Sequence, residues 1–426
     1  MVTIQTLKFA HCLLFFSYLS MSACSNDNPE DVIELQAVSS VQAMDKSNQA
    51  NAADIYVNFE TNDSDLVAEY RVYVSPAGST DDRSTDDWFD LSASYYTSST
   101  VAGFFLSASQ TDANGDEIEE YIDYQIVVLS VTSEETGYAR RLSEPSENFI
   151  LTQQPEVTTF VASLGANDAL AMDDSGNLYA SNFGNWSSTG GSGNQILKIA
   201  QDGSVSSYAI QLNGPLDLMY HSSGSLYVVD DNNGTRGHIL KIEPEGDNDQ
   251  IASINGWPGG LAEDDNGNVY VSNYSSATLH RITPDRMVEL VSSDARLRGC
   301  VGIVYADDFL YLANYNDGKI LRSDLSGNVT ELTQLEVVPN FGLGYMDKLG
   351  DYLYTTGIGS NVIYKISITT GASEIFAGTG AKSTLDGVAD YAAFSNPNGI
   401  VTDETNNTMY ILDYGKPSIR KIELKQ

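Results

Sequence analysis

Amide, carboxylate and aromatic side chains recur side by side along the second half of this 426-residue chain. Four pairs share this pattern, namely Asn182-Phe183, Asn273-Tyr274, Asn314-Tyr315 and Asp413-Tyr414, and Asp230 occupies the same place without a following ring. Rings beside polar groups suit the recognition of sugar rings or of a protein partner. The alternative is structural, because Asn and Asp also cap turns and rings also cover strand ends.

A second series of candidate residues precedes short apolar strands in the same half. It comprises Asp168, Leu216, Gly259, Val301, Phe341 and Asn398, and Trp257 lies in one of these segments. Trp186 belongs to the inserted stretch GNWSSTGGSG. If both series emerge on one face, they predict an aromatic and amide-rich ligand-binding rim.

The elements that carry these residues repeat six times. An apolar residue followed by Tyr recurs at intervals of 41 to 56 residues, from Leu178-Tyr179 to Met409-Tyr410. Each copy has an apolar stretch after Gly or Pro upstream and a segment such as QILKI or HILKI downstream. Four short strands in each of six copies predict an all-β, six-bladed β-propeller over residues 157–426. The repeated Tyr is expected to pack between blades.

The two ends of this repeat array predict how the propeller closes. The sixth copy stops at SIRKIELKQ, after its third strand, whereas VTTFVASL at 157–164 precedes the first copy and alternates as a strand does. We expect segment 157–164 to supply the missing fourth strand, which removes exposed sheet edges.

Residues 377–422 resemble an NHL repeat in their Asp-Gly, Ala-x-Phe, Pro-x-Gly and Ile-Arg-Lys-Ile elements. The resemblance implies a propeller of the NHL and gluconolactonase-like superfamily. In its metalloesterases, Asp and Asn at the positions of the second series hold calcium or another divalent cation, alongside a Glu. Only Asp168 and Asn398 match, and two oxygen ligands are few for such a cation. A divalent-metal-dependent lactonase or esterase is therefore the alternative, and a binding protein without a cofactor or catalytic residues is preferred.

Residues 32–153 lack the repeat and are predicted to form a separate module. Stretches such as ADIYVNFE and YIDYQIVVLSVT alternate as half-buried strands do. The run YQIVVLSVTSEETGYARRLSEPSENFIL is similar to the last two strands of a fibronectin type III module, which implies an immunoglobulin-like β-sandwich. The family's Trp in the second strand is missing from ADIYVNFE.

The first residues indicate export. Lys8 precedes an apolar run too short to span a bilayer, and Ser-Ala-Cys at 22–24 resembles a bacterial lipoprotein cleavage site. We expect residues 1–23 to be removed, Cys24 to be lipidated and 24–31 to form a tether to the cell envelope, most simply at the outer membrane. An ordinary signal peptide is the alternative. Cys300 is then left alone, so no intrachain disulfide forms.

The net charge and the positions of the histidines argue against two classes of function. The formal net charge of −36 argues against nucleic-acid partners, which require Lys and Arg. His221, His238 and His280 fall in separate repeats, which argues against propeller enzymes that use histidine clusters. The sequence thus predicts a lipid-anchored envelope protein whose propeller face binds a glycan, peptide or protein partner.

Overall fold

The computed structural model describes residues 35–62, 64–79, 82–133, 139–187 and 190–424. The predicted signal peptide, Cys24 and the tether lie outside these residues. Within them, no helix has the length and apolarity needed to cross a bilayer.

The N-terminal part contains eight strands and one short helix. The strands are β1 (Ser39–Asp45), β2 (Ile55–Glu60), β3 (Val67–Pro76), β4 (Tyr96–Ser99), β5 (Phe104–Phe105), β6 (Asp123–Thr132), β7 (Arg140–Leu142) and β8 (Phe149–Ile150). Helix α1 spans Thr85–Phe89, and 3-10 turns span Ala52–Asp54 and Ala93–Tyr95.

These strands form two antiparallel sheets that share apolar side chains. One sheet has the order β1-β2-β5, and the other has the order β4-β3-β6-β7 with β8 paired to β6. Alternate residues of β2, β3 and β6, among them Val57, Val72 and Val128, are fully buried in one cluster, as period-two strands require. The fibronectin type III assignment itself stays a prediction.

A tryptophan is buried in this module, but it comes from a helix. Trp88 of α1 is completely buried and packs edge-to-face on Tyr73 of β3, with ring centroids 5.0 Å apart. The side chain of Ser84 accepts a hydrogen bond from the backbone N–H of Asp87 and so caps the start of this helix. Trp88 and Tyr73 belong to a separate apolar cluster with Val127 and Leu129, on the face of β6 opposite the cluster that the two sheets share.

The remaining strands belong to the propeller. They are β9 (Glu156–Val161), β10 (Leu170–Met172), β11 (Leu178–Asn182), β12 (Trp186–Ser187), β13 (Gly190–Gly191), β14 (Gln195–Ile199), β15 (Val205–Ile210), β16 (Leu218–Tyr220), β17 (Leu226–Asp230), β18 (Arg236–Ile242), β19 (Asn248–Asn255), β20 (Pro258–Glu263), β21 (Val269–Asn273), β22 (Leu279–Ile282), β23 (Val288–Ser292), β24 (Cys300–Ala306), β25 (Phe309–Asn314), β26 (Lys319–Asp324), β27 (Val329–Gln334), β28 (Leu343–Leu349), β29 (Tyr352–Gly357), β30 (Val362–Ser367), β31 (Ser373–Ala377), β32 (Gly387–Val388), β33 (Pro397–Asp403), β34 (Thr408–Asp413) and β35 (Ser418–Glu423). A 3-10 turn spans Ala295–Leu297.

Five of the propeller sheets have four strands each in the described chain. Blade 1 is β10-β11-β14-β15, and blades 2 to 5 are β16 to β19, β20 to β23, β24 to β27 and β28 to β31, each in chain order. The first strands of successive blades contact one another, and β10 of blade 1 also contacts β33 of the last sheet. The six sheets therefore form a closed ring, as the repeats predict.

The closing sheet, blade 6, combines both ends of the propeller sequence. Its order is β32-β9-β35-β34-β33. Val157 of β9 pairs with Ile422 of β35, and Val161 pairs with Ile419. A strand near residue 160 thus pairs beside β35, and it spans Glu156–Val161, whereas the sequence pattern predicts 157–164. Strand β32 adds a fifth strand outside β9, which the sequence pattern does not indicate.

The repeated tyrosines pack where blades meet. Tyr179, Tyr270, Tyr311 and Tyr354 are buried, and each belongs to an apolar cluster that includes strands of the next blade. The hydroxyl of Tyr179 donates to the turn carboxylate of Asp173 at 3.1 Å. A buried phenol thus has a partner, which keeps its burial favourable.

Candidate ligand-binding site

Loops of the propeller line an open cavity of about 480 Å³. Both predicted series contribute, since Asp168, Leu216, Val301 and Asn398 line it together with residues that follow the second strands. All seven predicted aromatic residues line this cavity, namely Phe183, Trp186, Trp257, Tyr274, Tyr315, Phe341 and Tyr414. The structure therefore brings rings from five blades and from the hairpin β12-β13 to one site.

The polar residues that end the second strands hold the loops instead of lining the cavity. Asn273 Oδ1 accepts from the backbone N–H of Trp257 at 3.0 Å, and Asp413 Oδ1 accepts from that of Ser395 at 2.9 Å. These hydrogen bonds tie the end of one strand to the loop that enters the same blade. Asn273 Oδ1 also accepts from the backbone N–H of Ser275 in the following turn at 3.2 Å, which is the bond that the capping alternative predicts.

The other members of that series occupy equivalent places. Asp230 accepts from the backbone N–H of Asn213 at 2.9 Å, and Asn314 Nδ2 donates to the carbonyl of Arg298 at 2.8 Å. Asn182 ends β11, and it too is absent from the cavity lining. Asp230 and Asn314, like Asn273 and Asp413, thus shape the site through the loop backbone that they hold.

The rings differ in how firmly the protein holds them. Tyr274 and Tyr315 pack edge-to-face with centroids 5.9 Å apart. The Tyr274 hydroxyl donates to Asn316, and the Tyr315 hydroxyl donates to the carbonyl of Asn340. Trp186 is 67% exposed on the hairpin β12-β13. The cavity thus combines a fixed tyrosine pair with an open tryptophan at its rim.

A buried carboxyl group lies at one end of the cavity. Asp168 Oδ2 accepts from the Tyr345 hydroxyl at 2.9 Å, and Oδ1 accepts from Asn398 Nδ2 at 2.7 Å. Burial raises the pKa of Asp168 to about 7, although both hydrogen bonds oppose the rise. The pKa of the Tyr345 hydroxyl lies well above its usual range, because it is buried beside this carboxyl group.

Sequence reasoning missed Tyr345. It lies in β28, the first strand of blade 5, and the strand pairing places it at a position where the other five blades carry Ala169, Asp217, Gly260, Gly302 and Gly399. A bulky Tyr at a position where four of the other five copies carry Ala or Gly is the signal that an alignment of the six copies would have supplied. Because the first strands surround the axis, this hydroxyl of blade 5 reaches Asp168 at the start of blade 1, with blade 6 between them.

The cavity lining does not match a cage for a divalent cation. Each oxygen of Asp168 already accepts a hydrogen bond, one from the Tyr345 hydroxyl and one from the side-chain amide of Asn398. Both donors are neutral. Within the described ranges, His, Cys, Asp and Glu side chains form no group of three that could hold a metal. The two matching residues therefore do not fit the cation site that the resemblance implies, and no metal-dependent step is derived from them.

Further buried carboxyl groups lie along the first strands. Asp217 and Asp347 line a second cavity of about 240 Å³ near the axis. Asp217 accepts from the backbone N–H of Leu261 in the next blade at 2.6 Å, and Asp347 accepts from that of Thr402 at 2.7 Å. Each carboxylate links neighbouring blades, so these two groups have a structural role.

Comparison with known proteins supports the fold. No family model matches the chain. A virginiamycin B lyase from Nocardia farcinica is 27% identical over 139 residues, which are 33% of this chain and 48% of the lyase. The chain thus matches about half the length of that curated relative.

Solved structures extend the likeness over both parts of the chain. An auxiliary nutrient binding protein from Bacteroides thetaiotaomicron is 15% identical with a TM-score of 0.55, covering 91% of this chain and 98% of that protein. One from Bacteroides ovatus is also 15% identical, with a TM-score of 0.53 and coverage of 93% and 99%. At such identities the likeness shows the fold alone. Fold and cavity together define a β-propeller protein with an aromatic cavity formed by its loops.

Proposed function

We propose that this protein is an exported, lipid-anchored binding protein of the cell envelope whose propeller cavity captures a small ligand. One observation carries the proposal: seven aromatic residues that are far apart in sequence line one cavity. A volume of about 480 Å³ lies in the range of small-molecule sites. This supports a sugar ring or a peptide side chain that enters the cavity, in preference to a flat protein interface.

The proposal agrees with two further observations. The solved structures that cover more than nine-tenths of the chain include proteins described as nutrient binding. The sequence of residues 1–24 has the features of a lipoprotein leader, which would place the cavity outside the cytoplasm.

Catalysis has less support from the described residues. The lactonase alternative needs a metal, and Asp168 and Asn398 do not fit one. The curated relative is named as a lyase, but His221, His238 and His280 are all absent from the lining of the cavity. The cavity contains rings and hydrogen-bonding groups, which can bind and orient a ligand.

The test compares ring removal inside and outside the cavity. Wild-type protein is applied to glycan and peptide arrays, and its best ligand is then titrated against Tyr315→Ala and Tyr352→Ala. We expect Tyr315→Ala to weaken binding about tenfold or more, because a packed aromatic contact is lost. Tyr352, which is 39% exposed on β29 away from the cavity, is the matched control and should bind as wild type does.

Two results would contradict the proposed function. The first is wild-type protein that binds nothing on either array. The second is a folded Tyr315→Ala variant whose affinity equals that of wild type and of the Tyr352→Ala control.

A further inference from the structure

The aromatic cavity contains a carboxyl group but no positive charge. Of the described residues that line it, none is Lys, Arg or His, and Asp168 is the one acidic residue. Both oxygens of Asp168 accept hydrogen bonds from neutral groups, those of Tyr345 and Asn398. A buried carboxylate without a counter-charge is costly. A cation in the cavity would remove that cost.

Elsewhere the described chain places its own cations where rings meet carboxylates. The Arg140 guanidinium lies 3.5 Å from the Phe89 ring centroid and 2.7 Å from Asp86. The Lys365 ammonium lies 4.2 Å from the Tyr352 centroid and 3.2 Å from Glu374. The cavity has the same combination of rings and carboxyl group, but no side chain of the described lining supplies the cation.

Rings and net charge both favour a positively charged ligand. Aromatic faces attract cations, most strongly when water is excluded, and eight rings line this cavity once Tyr345 is counted. The formal charge of −36 attracts cations to the molecule as a whole. A neutral sugar could pack on the rings, but it would leave the charge of Asp168 uncompensated.

We propose that the ligand of this cavity presents an ammonium or quaternary ammonium group, held among the aromatic rings and compensated by Asp168. This inference rests on the proposed binding function and names the chemical class of its ligand. Asp168 favours a positively charged ligand over a neutral one, and the aromatic rings surround its ammonium group.

The experiment compares a cation with its neutral isostere. Choline and 3,3-dimethyl-1-butanol have the same shape, but carbon replaces the quaternary nitrogen in the second. Each is titrated into wild-type protein by calorimetry, with tryptophan fluorescence as a second signal, because Trp186 and Trp257 line the cavity. We expect choline to bind about tenfold more tightly or better. Equal affinities, or no binding of choline, would overturn the inference.

A substitution of Asp168 tests whether its carboxyl group causes the preference for a cation. Asp168→Asn should lose about tenfold in choline affinity and leave the neutral isostere unchanged, since it removes the charge and keeps a side chain of the same size. Asp217→Asn is the matched control, because Asp217 is also a buried carboxyl group but lines the other cavity. A folded Asp168→Asn protein with wild-type choline affinity would refute the role of Asp168, and if the variant does not fold, the wild-type comparison decides.

The array experiment separates this inference from the proposed function. If neutral glycans bind in a way that depends on Tyr315, while choline does not bind, the inferred preference for a charged ligand is wrong and the proposed binding function stands. If the arrays and choline all give no binding, both fail.

Discussion

At the scale of single residues, the site depends on how one position departs from its repeat. Tyr345 stands where the other five copies carry Ala, Asp or Gly, and its hydroxyl donates to Asp168. Asp168 in turn is buried without a salt bridge among the described residues. The contribution of such a side chain to the stability of the folded protein depends on pH.

The pKa of Asp168 yields a prediction with a definite sign. It is raised from an unfolded value near 4 to about 7 by burial, so the folded protein binds the proton more tightly. The contribution of this group to the free energy of unfolding is therefore favourable below about pH 4 and is lost as pH rises to about 7. Asp168→Asn removes this dependence and should become more stable relative to wild type as pH rises, by on the order of a few kcal/mol.

The measurement is urea unfolding of both proteins at several pH values between 5 and 8, followed by tryptophan fluorescence. The difference between variant and wild type isolates Asp168, since Asp413, whose pKa burial also raises to about 7, is present in both. A difference that does not change with pH would show that Asp168 titrates near its ordinary value.

At the scale of elements, closure of the ring depends on a sheet built from both ends of the propeller sequence. Arg420 of β35 is fully buried in it and donates to the carbonyls of Ala393 and Leu385 at 2.7 and 2.8 Å. Its guanidinium also lies 2.6 Å from Asp386 and 3.7 Å from Asp413. Arg420 thus connects β35, the strand with which β9 pairs, to the segment that contains β32.

Arg420→Met should destabilise the protein by about 3 to 5 kcal/mol, because it leaves the buried Asp413 without a cation and two carbonyls without donors. Lys421→Met is the control, since Lys421 is the next residue of the same strand and pairs with Glu423 at the surface, where such pairs are worth less than about 1 kcal/mol. Chemical unfolding measures both. Equal effects of the two substitutions would show that the buried guanidinium does not stabilise the closing sheet.

At the scale of the whole molecule, the chain combines a predicted lipid anchor, an N-terminal module and the propeller. The parts touch in the described residues, since the Lys46 ammonium lies 4.1 Å from the Tyr391 ring centroid. The proposed placement of the cavity outside the cytoplasm depends on the predicted leader, and the proposed anchoring depends on Cys24.

We expect Cys24→Ser to move the protein from the membrane fraction to the soluble fraction, because a lipidated cysteine supplies the membrane affinity. Cys12→Ser, which changes a cysteine of the predicted leader, should leave the protein in the membrane fraction. Ultracentrifugation and labelling with a radioactive fatty acid measure both. Wild-type protein in the soluble fraction would support the ordinary signal peptide instead.

Much of this architecture follows from the sequence alone. Six copies of the apolar-Tyr pair predict six blades because each copy has too little apolar surface to fold alone and must pack on its neighbours. The incomplete sixth copy predicts that segment 157–164 closes the ring, because an unpaired fourth strand would leave an exposed edge. Six of the seven aromatic residues could be named because they occupy loop positions of the repeat, and Trp186 because it lies in the inserted stretch.

Only the tertiary structure decided which of those candidates meet. Asn273, Asn314 and Asp413 share the repeat pattern with the rings next to them, but their side chains bond the backbone while the rings line the cavity. The bond between Tyr345 and Asp168 joins residues 177 positions apart. No local pattern predicts such a contact, because it depends on the radius of the closed ring and on the directions in which the first strands of blades 1 and 5 face the common axis.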